Sequence, residues 1–274
     1  MLRKLLNALS RSLGYELSNI QKPADANLAH LYHQALERLA AVRSVISIAQ
    51  IGANDGRIND QIYDFVIANK ERTKIILFEP QDNVLPYLRE NYKSHPSATI
   101  VNCAIGPKGL LKLYRLNPSY YESFVKRYLK DSPSYRVPTG FTSSAYEHVI
   151  RHVRGNLPAG LSIDRAIQEI QVPCLPLQTA LIENGWNGPV DLLQVDVEGM
   201  DDQVLYECAL DELRPILINF EYRHISTEKY TQLNHYLMTL GYLTIRYNGS
   251  NALAIRIALD GTLAQTEVAR KDQQ

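Results

Sequence analysis

Cysteine is scarce in this 274-residue chain, which holds only Cys103, Cys174 and Cys208, far apart and without metal-ligand spacing. That excludes a disulfide-stapled fold and fits a reducing compartment, so a cytoplasmic location is expected. An excess of either charge is also missing, because Lys+Arg and Asp+Glu each number 29 and the formal net charge is zero. With no long basic run, the chain offers no field to gather nucleic acid, and no nucleic-acid partner is expected. No apolar run is long enough to cross a bilayer, so no transmembrane segment is expected. Internal repeats are absent as well. Tyrosine, in contrast, is abundant at 17 residues against five Phe and one Trp.

The first residues place Leu2, Leu5, Leu6, Leu9 and Leu13 on one helical face. They lack the continuous apolar core and small-residue cleavage site of a secretory signal. The expectation is a helix over 2–14 that packs on its own fold or on a second subunit, with a membrane-surface or organelle-targeting helix as the other reading, followed by a helix over 27–42. Residues 1–44 therefore read as a helical extension.

From residue 45 onward the pattern alternates between strand and helix. Strands are expected at 45–51, 74–80, 98–105, 191–197 and 214–221, with helices at 58–69 and 83–92, near Met200, and through Leu233, Tyr236 and Leu237. Residues 111–116 alternate like an added strand, and 171–177 read as another. Alternating β and α elements imply a parallel sheet covered on both faces. The last two strands, 242–247 and 252–257, meet across Asn248-Gly249-Ser-Asn, a hairpin turn that adds an antiparallel edge. The main domain is expected over 45–260, with a polar tail over 261–274.

Residues 117–170 break the alternation and hold Tyr120, Tyr121, Tyr128, Tyr135 and Tyr146. So long a segment between sheet strands reads either as a lid or substrate wall or as an oligomer contact. Rings carrying hydroxyls suit a pocket that is partly apolar and partly wet. Ser143, Ser144 and Tyr146 are its candidate substrate contacts.

The most informative stretch is Ile46-Ser-Ile-Ala-Gln-Ile-Gly-Ala-Asn-Asp-Gly56, an apolar strand that runs into a glycine-bracketed turn. A strand, a tight turn and a helix form the opening unit of an open nucleotide-binding sheet. Acids then stand at successive strand ends: Glu79, Asp196 with Glu198, and Glu221. Ligands of such sheets sit outside the carboxyl ends of the strands, so these acids and the turn are expected around one crevice. A carboxylate ending the second strand can accept both hydroxyls of a ribose diol.

Gln-Ile-Gly-Ala-Asn-Asp-Gly56, Phe-Glu-Pro80, Asn-Cys-Ala-Ile-Gly106 and Leu-Leu-Gln-Val-Asp-Val-Glu-Gly199 occur in series. Together they resemble the FkbM family of S-adenosylmethionine-dependent methyltransferases, over roughly residues 45–257. The resemblance implies a Rossmann-like class I methyltransferase fold: a mostly parallel seven-stranded α/β sheet with an antiparallel C-terminal hairpin. It implies that Gln50, Gly52, Ala53, Asn54 and Gly56 hold the methionine part of the cofactor. Glu79 and Pro80 would lie at the ribose, and Asn102 with Cys103 would border the adenine. Gln50 stands where the family often has Asp, but its amide oxygen can still accept from the cofactor's amino group. Gln178 replaces another family Asp and receives no role.

The activity so implied is methyl transfer to a hydroxyl on a sugar, a glycan or a secondary metabolite. Such an acceptor needs its proton removed as it attacks. Asp196, Glu198 and His224 are the candidate bases, with Glu221 orienting one of them or the acceptor; a surface histidine is the other reading of His224. Asp196 and Glu221 could instead hold Mg²⁺, but no ligand spacing demands a metal and none is assigned. Cys103 reads as a small packing residue rather than a nucleophile. Homo-oligomers would form through the N-terminal helices or the Tyr-rich insertion. Two other functions share the glycine turn: a nicotinamide-dependent reductase, and a non-catalytic binding protein on the same fold. The Gly52-x-x-x-Gly56 spacing and the terminal hairpin both depart from the reductase pattern.

Overall fold

The computed structural model describes residue 28 and residues 30–124, 130–157 and 160–257. The expected helix over 2–14 and the tail over 261–274 lie outside them. After helix α1 (Leu31–Val42) come β1 (Ile46–Ile51), α2 (Tyr63–Ala68), β2 (Thr73–Phe78), α3 (Leu85–Tyr92) and β3 (Ala98–Val101). Next are β4 (Ala104–Ile105), β5 (Gly109–Leu116), α4 (Arg136–Thr139), α5 (Tyr146–Val153), α6 (Ile163–Ala166), β6 (Ile167–Leu175) and α7 (Leu177–Glu183). The chain then runs through β7 (Leu192–Val195), α8 (Asp201–Glu207), α9 (Leu210–Leu213), β8 (Leu217–Glu221), α10 (Thr227–Thr239), β9 (Tyr242–Arg246) and β10 (Asn251–Arg256).

Seven strands form one sheet in the order β3-β2-β1-β7-β8-β10-β9. Pairing is parallel from β3 to β8, and β10 is antiparallel to both β8 and β9. The inner strands read as near-continuous apolar runs because helices cover both faces. Alternate residues serve opposite layers. Ile51, Phe78, Val195 and Phe220 pack with Leu181 of α7, Leu205 of α8 and Leu233 of α10. Ile48, Ile75, Leu77 and Leu192 pack with Leu36 of α1, Val66 of α2 and Leu88 of α3.

The register decides where the site falls. Ile51 is paired with both Phe78 and Val195, Phe78 with Val101, and Val195 with Phe220. β2, β3 and β7 therefore end level with β1, and β8 runs one residue further. Gly52, Glu79, Asn102, Asp196 and Glu221 each stand one residue beyond that line.

Local structure differs from the sequence expectation in three places. The helix expected at 58–69 is reduced to Tyr63–Ala68. Asp55 Oδ1 accepts the backbone N–H groups of Arg57 and Ile58, and Asp60 Oδ1 accepts those of Ile62 and Tyr63. These side chains hold the preceding residues in turns, with Asn59 at φ +57°, so helix begins only after Asp60. The strand expected over 98–105 is broken at Asn102-Cys103. The Asn102 amide donates to the carbonyls of Glu79 and Pro80, and the chain leaves the main sheet.

Beyond the break, β4 joins a second sheet of order β4-β6-β5, paired parallel with β6 at Ala104↔Cys174. β6 begins at Ile167, four residues before the strand expected at 171, and runs antiparallel to β5 from Gly109↔Cys174 to Leu116↔Ile167. This ladder brings the two ends of the Tyr-rich segment together. Leu116, Phe141, Val149, Val153 and Ala166 give that segment a small core of its own.

Candidate active site

Beyond the strand ends lies one cavity, bounded on one side by the turns after β1, β2 and β7 and on the other by residues of the Tyr-rich segment. The β1 turn is sharply constrained. Gly52 adopts φ +79°, and a Cβ there would lie 1.8 Å from the carbonyl oxygen of Asp196. Only glycine lets the turns after β1 and β7 touch. Gly52 and Ala53 both donate their N–H to the Phe78 carbonyl, and Asn54 continues the turn at φ +49°.

Gln50, Gly52, Ala53, Asn54, Glu79, Pro80, Cys103, Ser143, Ser144, Asp196 and Glu198 all line this cavity. Gly56, Asn102 and Tyr146 do not. A Cβ on Gly56 would meet Leu88 at 2.5 Å, so this glycine is needed for packing against α3. Asn102 shapes the Glu79-Pro80 backbone from outside, and the Tyr146 ring packs on Tyr114 with centroids 4.9 Å apart. Glu221 faces a second, more polar cavity with Tyr32, Arg223, Tyr247 and Asn248. Asp196 borders both cavities.

Glu79 is 2 % exposed and accepts the N–H of Asn54 at 2.7 Å and that of Gln81 at 2.8 Å. Burial pushes its carboxyl above the ordinary range, opposed by those hydrogen bonds. Gln50 is equally buried; its amide nitrogen donates to Asp60, while its carbonyl oxygen has no hydrogen-bond partner. This buried acceptor is open to a donor from within the cavity.

Asp196, Glu198 and Glu221 stand so close that their charges oppose one another. Burial is the main cause raising each, and for Glu198 and Glu221 the charge of Asp196 adds to it; Glu221 is pushed up to about 8. Arg136 of α4 counters this, lowering Asp196 and Glu198 from its place in the cavity wall. Its guanidinium donates twice to the Ile58 carbonyl, which fixes it there. His224 lies 3.7 Å from Glu221, and burial lowers its pKa, with the neighbouring His148 adding to the effect.

Several functional neighbours carry no motif in the sequence. Asp201 is fully buried and accepts the backbone N–H groups of Val197 and Glu221, joining the ends of β7 and β8. In sequence it reads as an ordinary acid in the first turn of a helix. Asp60, Gln81, Arg136, Thr139 and His148 are brought in by the fold. Gln81 donates to the Thr139 carbonyl and accepts from the Thr142 hydroxyl, which fastens the Tyr-rich segment over the cavity.

A level row of parallel strand ends bearing a glycine turn and acids, with an antiparallel strand inserted beyond β8, defines a Rossmann-like methyltransferase. The sequence profile of the methyltransferase FkbM domain matches residues 50–249. The chain belongs to that family, and family and fold imply S-adenosylmethionine as methyl donor. The nicotinamide-reductase alternative is thereby set aside. No curated protein sequence matches the chain.

Solved structures similar to it include a putative O-methyltransferase from Klebsiella pneumoniae, at 13 % identity and TM-score 0.37, covering 94 % of this chain and 90 % of that one. Precorrin-6y C5,15-methyltransferase from Geobacter metallireducens GS-15 matches at 11 % identity and TM-score 0.37, covering 87 % and 89 %. The CurJ carbon methyltransferase matches at 9 % identity and TM-score 0.41, covering 93 % and 59 %. Likeness at this level says nothing about the acceptor. Among the described residues, no helix is long and apolar enough to cross a membrane.

Proposed function

We propose that the chain transfers a methyl group to a hydroxyl of a sugar, a glycan or a secondary metabolite, with Asp196 as the base. One observation carries this reading: Asp196 borders both the cavity beside the glycine turn and the polar cavity lined by Glu221. A donor in the first and an acceptor in the second would meet at its carboxylate.

The residues of the first cavity fit S-adenosylmethionine. The open carbonyl oxygen of Gln50 suits its ammonium, and the Glu79 carboxylate suits its ribose hydroxyls. Crowded, desolvated carboxylates also favour a ligand carrying positive charge. When bound, the cofactor supplies a methyl group activated by a positively charged sulfur. The chain's contribution is to align the acceptor oxygen with that methyl group, worth ~7–11 kcal/mol where alignment is good. Asp196 takes the hydroxyl proton during attack, its raised pKa bringing it closer to neutral operating pH. Arg223, Asn248 and Ser250 of the second cavity provide the hydrogen-bonding surface a polyhydroxylated acceptor needs, while Ser143, whose hydroxyl donates to the Glu198 carbonyl, and Ser144 lie in the wall of the first.

The test joins binding to chemistry. S-adenosylhomocysteine should raise the melting temperature and NAD(H) should not. Mass spectrometry should then find one added methyl group in a product from a panel of hydroxylated metabolites, with turnover reduced by about 10²–10⁴ in Asp196→Asn. Methylation confined to nitrogen acceptors, or full turnover in Asp196→Asn, would overturn this reading.

A further inference from the structure

Next to Asp196 lies a second constellation, built from four elements. β7 runs into a turn in which Glu198 and Gly199 adopt φ +53° and +95°. β8 ends at Glu221, His224 follows in the connection to α10, and His148 comes from α5 in the Tyr-rich segment. One ligand atom from each of Glu198, Glu221 and His224 lies within 4.8 Å of the others. Neighbouring donors of a tetrahedral ion at about 2.1 Å stand about 3.4 Å apart. The three lie within 4.8 Å of one another, so binding draws their side chains together.

The polar atoms here lack the partners that burial demands. His148 is 8 % exposed, and its Nε2 has no hydrogen-bond partner. It points at Glu198 Oε2 from 3.7 Å, beyond hydrogen-bond reach. Glu221 Oε2 is likewise buried without a hydrogen bond, 3.7 Å from His224 Nε2. Two imidazoles and two carboxylates converge and do not bond to one another. A cation among them would give every orphaned atom a partner.

The surroundings hold these groups in place. His148 stacks on His152 with centroids 4.6 Å apart and meets His224 edge-on at 5.0 Å. Gly199, at φ +95°, lets the β7 turn lie close against His224, since a Cβ there would press on His224 Cβ at 3.3 Å. Asp201 secures the backbone of Val197 and Glu221, and the Ser143 hydroxyl donates to the Glu198 carbonyl at 3.1 Å. Rigid second-layer contacts of this kind orient metal ligands.

We propose that Glu198, Glu221 and His224 bind a divalent first-row transition-metal ion, with the His148 imidazole, 3.7 Å from Glu198, drawn in as fourth donor when the ion binds. Mixed imidazole and carboxylate donors suit Mn²⁺, Fe²⁺, Co²⁺ or Zn²⁺, whereas Mg²⁺ and Ca²⁺ favour oxygen alone. Only the role of the ion rests on the methyl-transfer reading: beside Asp196 it lowers the pKa of the acceptor hydroxyl.

The test is calorimetric titration of the full chain, freed of any histidine tag and stripped with chelator, with Mn²⁺, Zn²⁺ and Mg²⁺ and no methyl donor present. One equivalent of Mn²⁺ and of Zn²⁺ should bind, at least about tenfold more tightly than Mg²⁺. Glu221→Gln and His224→Asn should each weaken binding by about tenfold or more, and His148→Phe, which keeps a stacked ring, should weaken it as well. Circular dichroism and S-adenosylhomocysteine binding identify variants that remain folded. Absence of saturable binding, or unchanged affinity in folded Glu221→Gln and His224→Asn proteins, would overturn the proposal. Equal affinity for Mg²⁺ would remove the histidines from it. Metal binding without S-adenosylhomocysteine binding would leave this site standing and sink the methyl-transfer reading instead.

Discussion

Glu79 Oε2 accepts the backbone N–H of Asn54 at 2.7 Å, so the carboxylate that ends β2 closes the turn that ends β1. Its other oxygen holds the N–H of Gln81. Each oxygen keeps further lone pairs, and Glu79 lines the cavity. Glu79→Gln replaces one acceptor oxygen by a donor and removes the charge. Hydrogen bonds to charged groups are worth about 1.5–3 kcal/mol, so S-adenosylhomocysteine should bind about 10–100-fold more weakly. Calorimetry reads this directly, and unchanged affinity would remove Glu79 from the ribose role.

Asp201 is a positioning residue, since its carboxylate spans two strand ends and reaches no reacting atom. In Asp201→Asn a single acceptor oxygen remains for the Val197 and Glu221 N–H groups. Leaving one buried donor unsatisfied costs about 1–3 kcal/mol. The expected outcome is a melting temperature lower by about 2–4 °C per kcal/mol lost. Turnover should fall while S-adenosylhomocysteine affinity stays near wild type, because Glu221 and Glu198 shift but the β1 turn does not. Equal loss of both would show that Asp201 supports the whole sheet end.

Gly52 and Gly185 share positive φ, +79° and +71°, but differ in surroundings. A Cβ on Gly52 meets the Asp196 carbonyl, whereas around Gly185 nothing lies within 4 Å. Gly185→Ala should cost only the left-handed backbone penalty, about 1–2 kcal/mol. Gly52→Ala must in addition part the turns after β1 and β7, so cofactor binding should be lost. Thermal melts with and without S-adenosylhomocysteine compare the two. Retained binding in Gly52→Ala would mean that the contact between these turns is dispensable.

The sheet and the level row of site residues were legible in the sequence because strand ends carry distinct chemistry: Gly52, Glu79, Asp196, Glu221. Each lies where an apolar run meets a turn, and register aligns them without further information. The short α2 was not legible, because Asp60 looks like a helix residue and Asp55 like a plain turn residue until their carboxylates are seen holding neighbouring N–H groups. Nor was the break at Asn102, where a side-chain amide replaces ladder pairing. His148 and Arg136 reach the site from a segment whose periodicity fixes no register. Nothing local to either residue marks it as facing Glu198 or the cavity.

Cys103 lines the cavity but is 3 % exposed, and burial pushes its thiol up to about 11. The thiolate is the reactive form, so about one molecule in a thousand is reactive at pH 8. Iodoacetamide labelling should therefore be slow at pH 8 and rise about tenfold per pH unit towards 11. Cys103→Ala should keep its turnover. Rapid labelling at neutral pH, followed by mass spectrometry of the modified peptide, would contradict the packing role.

Stability of the sheet depends on a pair at its opposite end. Arg43, just after α1, donates to Asp191 Oδ1 at 2.6 Å, and Asp191 Oδ2 accepts the N–H of Ser47. Asp191 is 2 % exposed and its backbone links β1 to β8 through Ser47, Ile216 and Leu217. Arg43→Ala would remove the carboxylate's hydrogen-bonded cation and leave only the charge of Arg256 near it, at a cost of up to about 3–5 kcal/mol. Neither residue approaches the cavities, so turnover well below the melting temperature should match wild type. Replacing Asp191 by Asn as well removes the uncompensated charge while keeping an acceptor for Ser47. The double variant should therefore recover part of the stability lost by Arg43→Ala, a non-additivity that a double-mutant cycle measures. Strict additivity would show that the two side chains contribute independently.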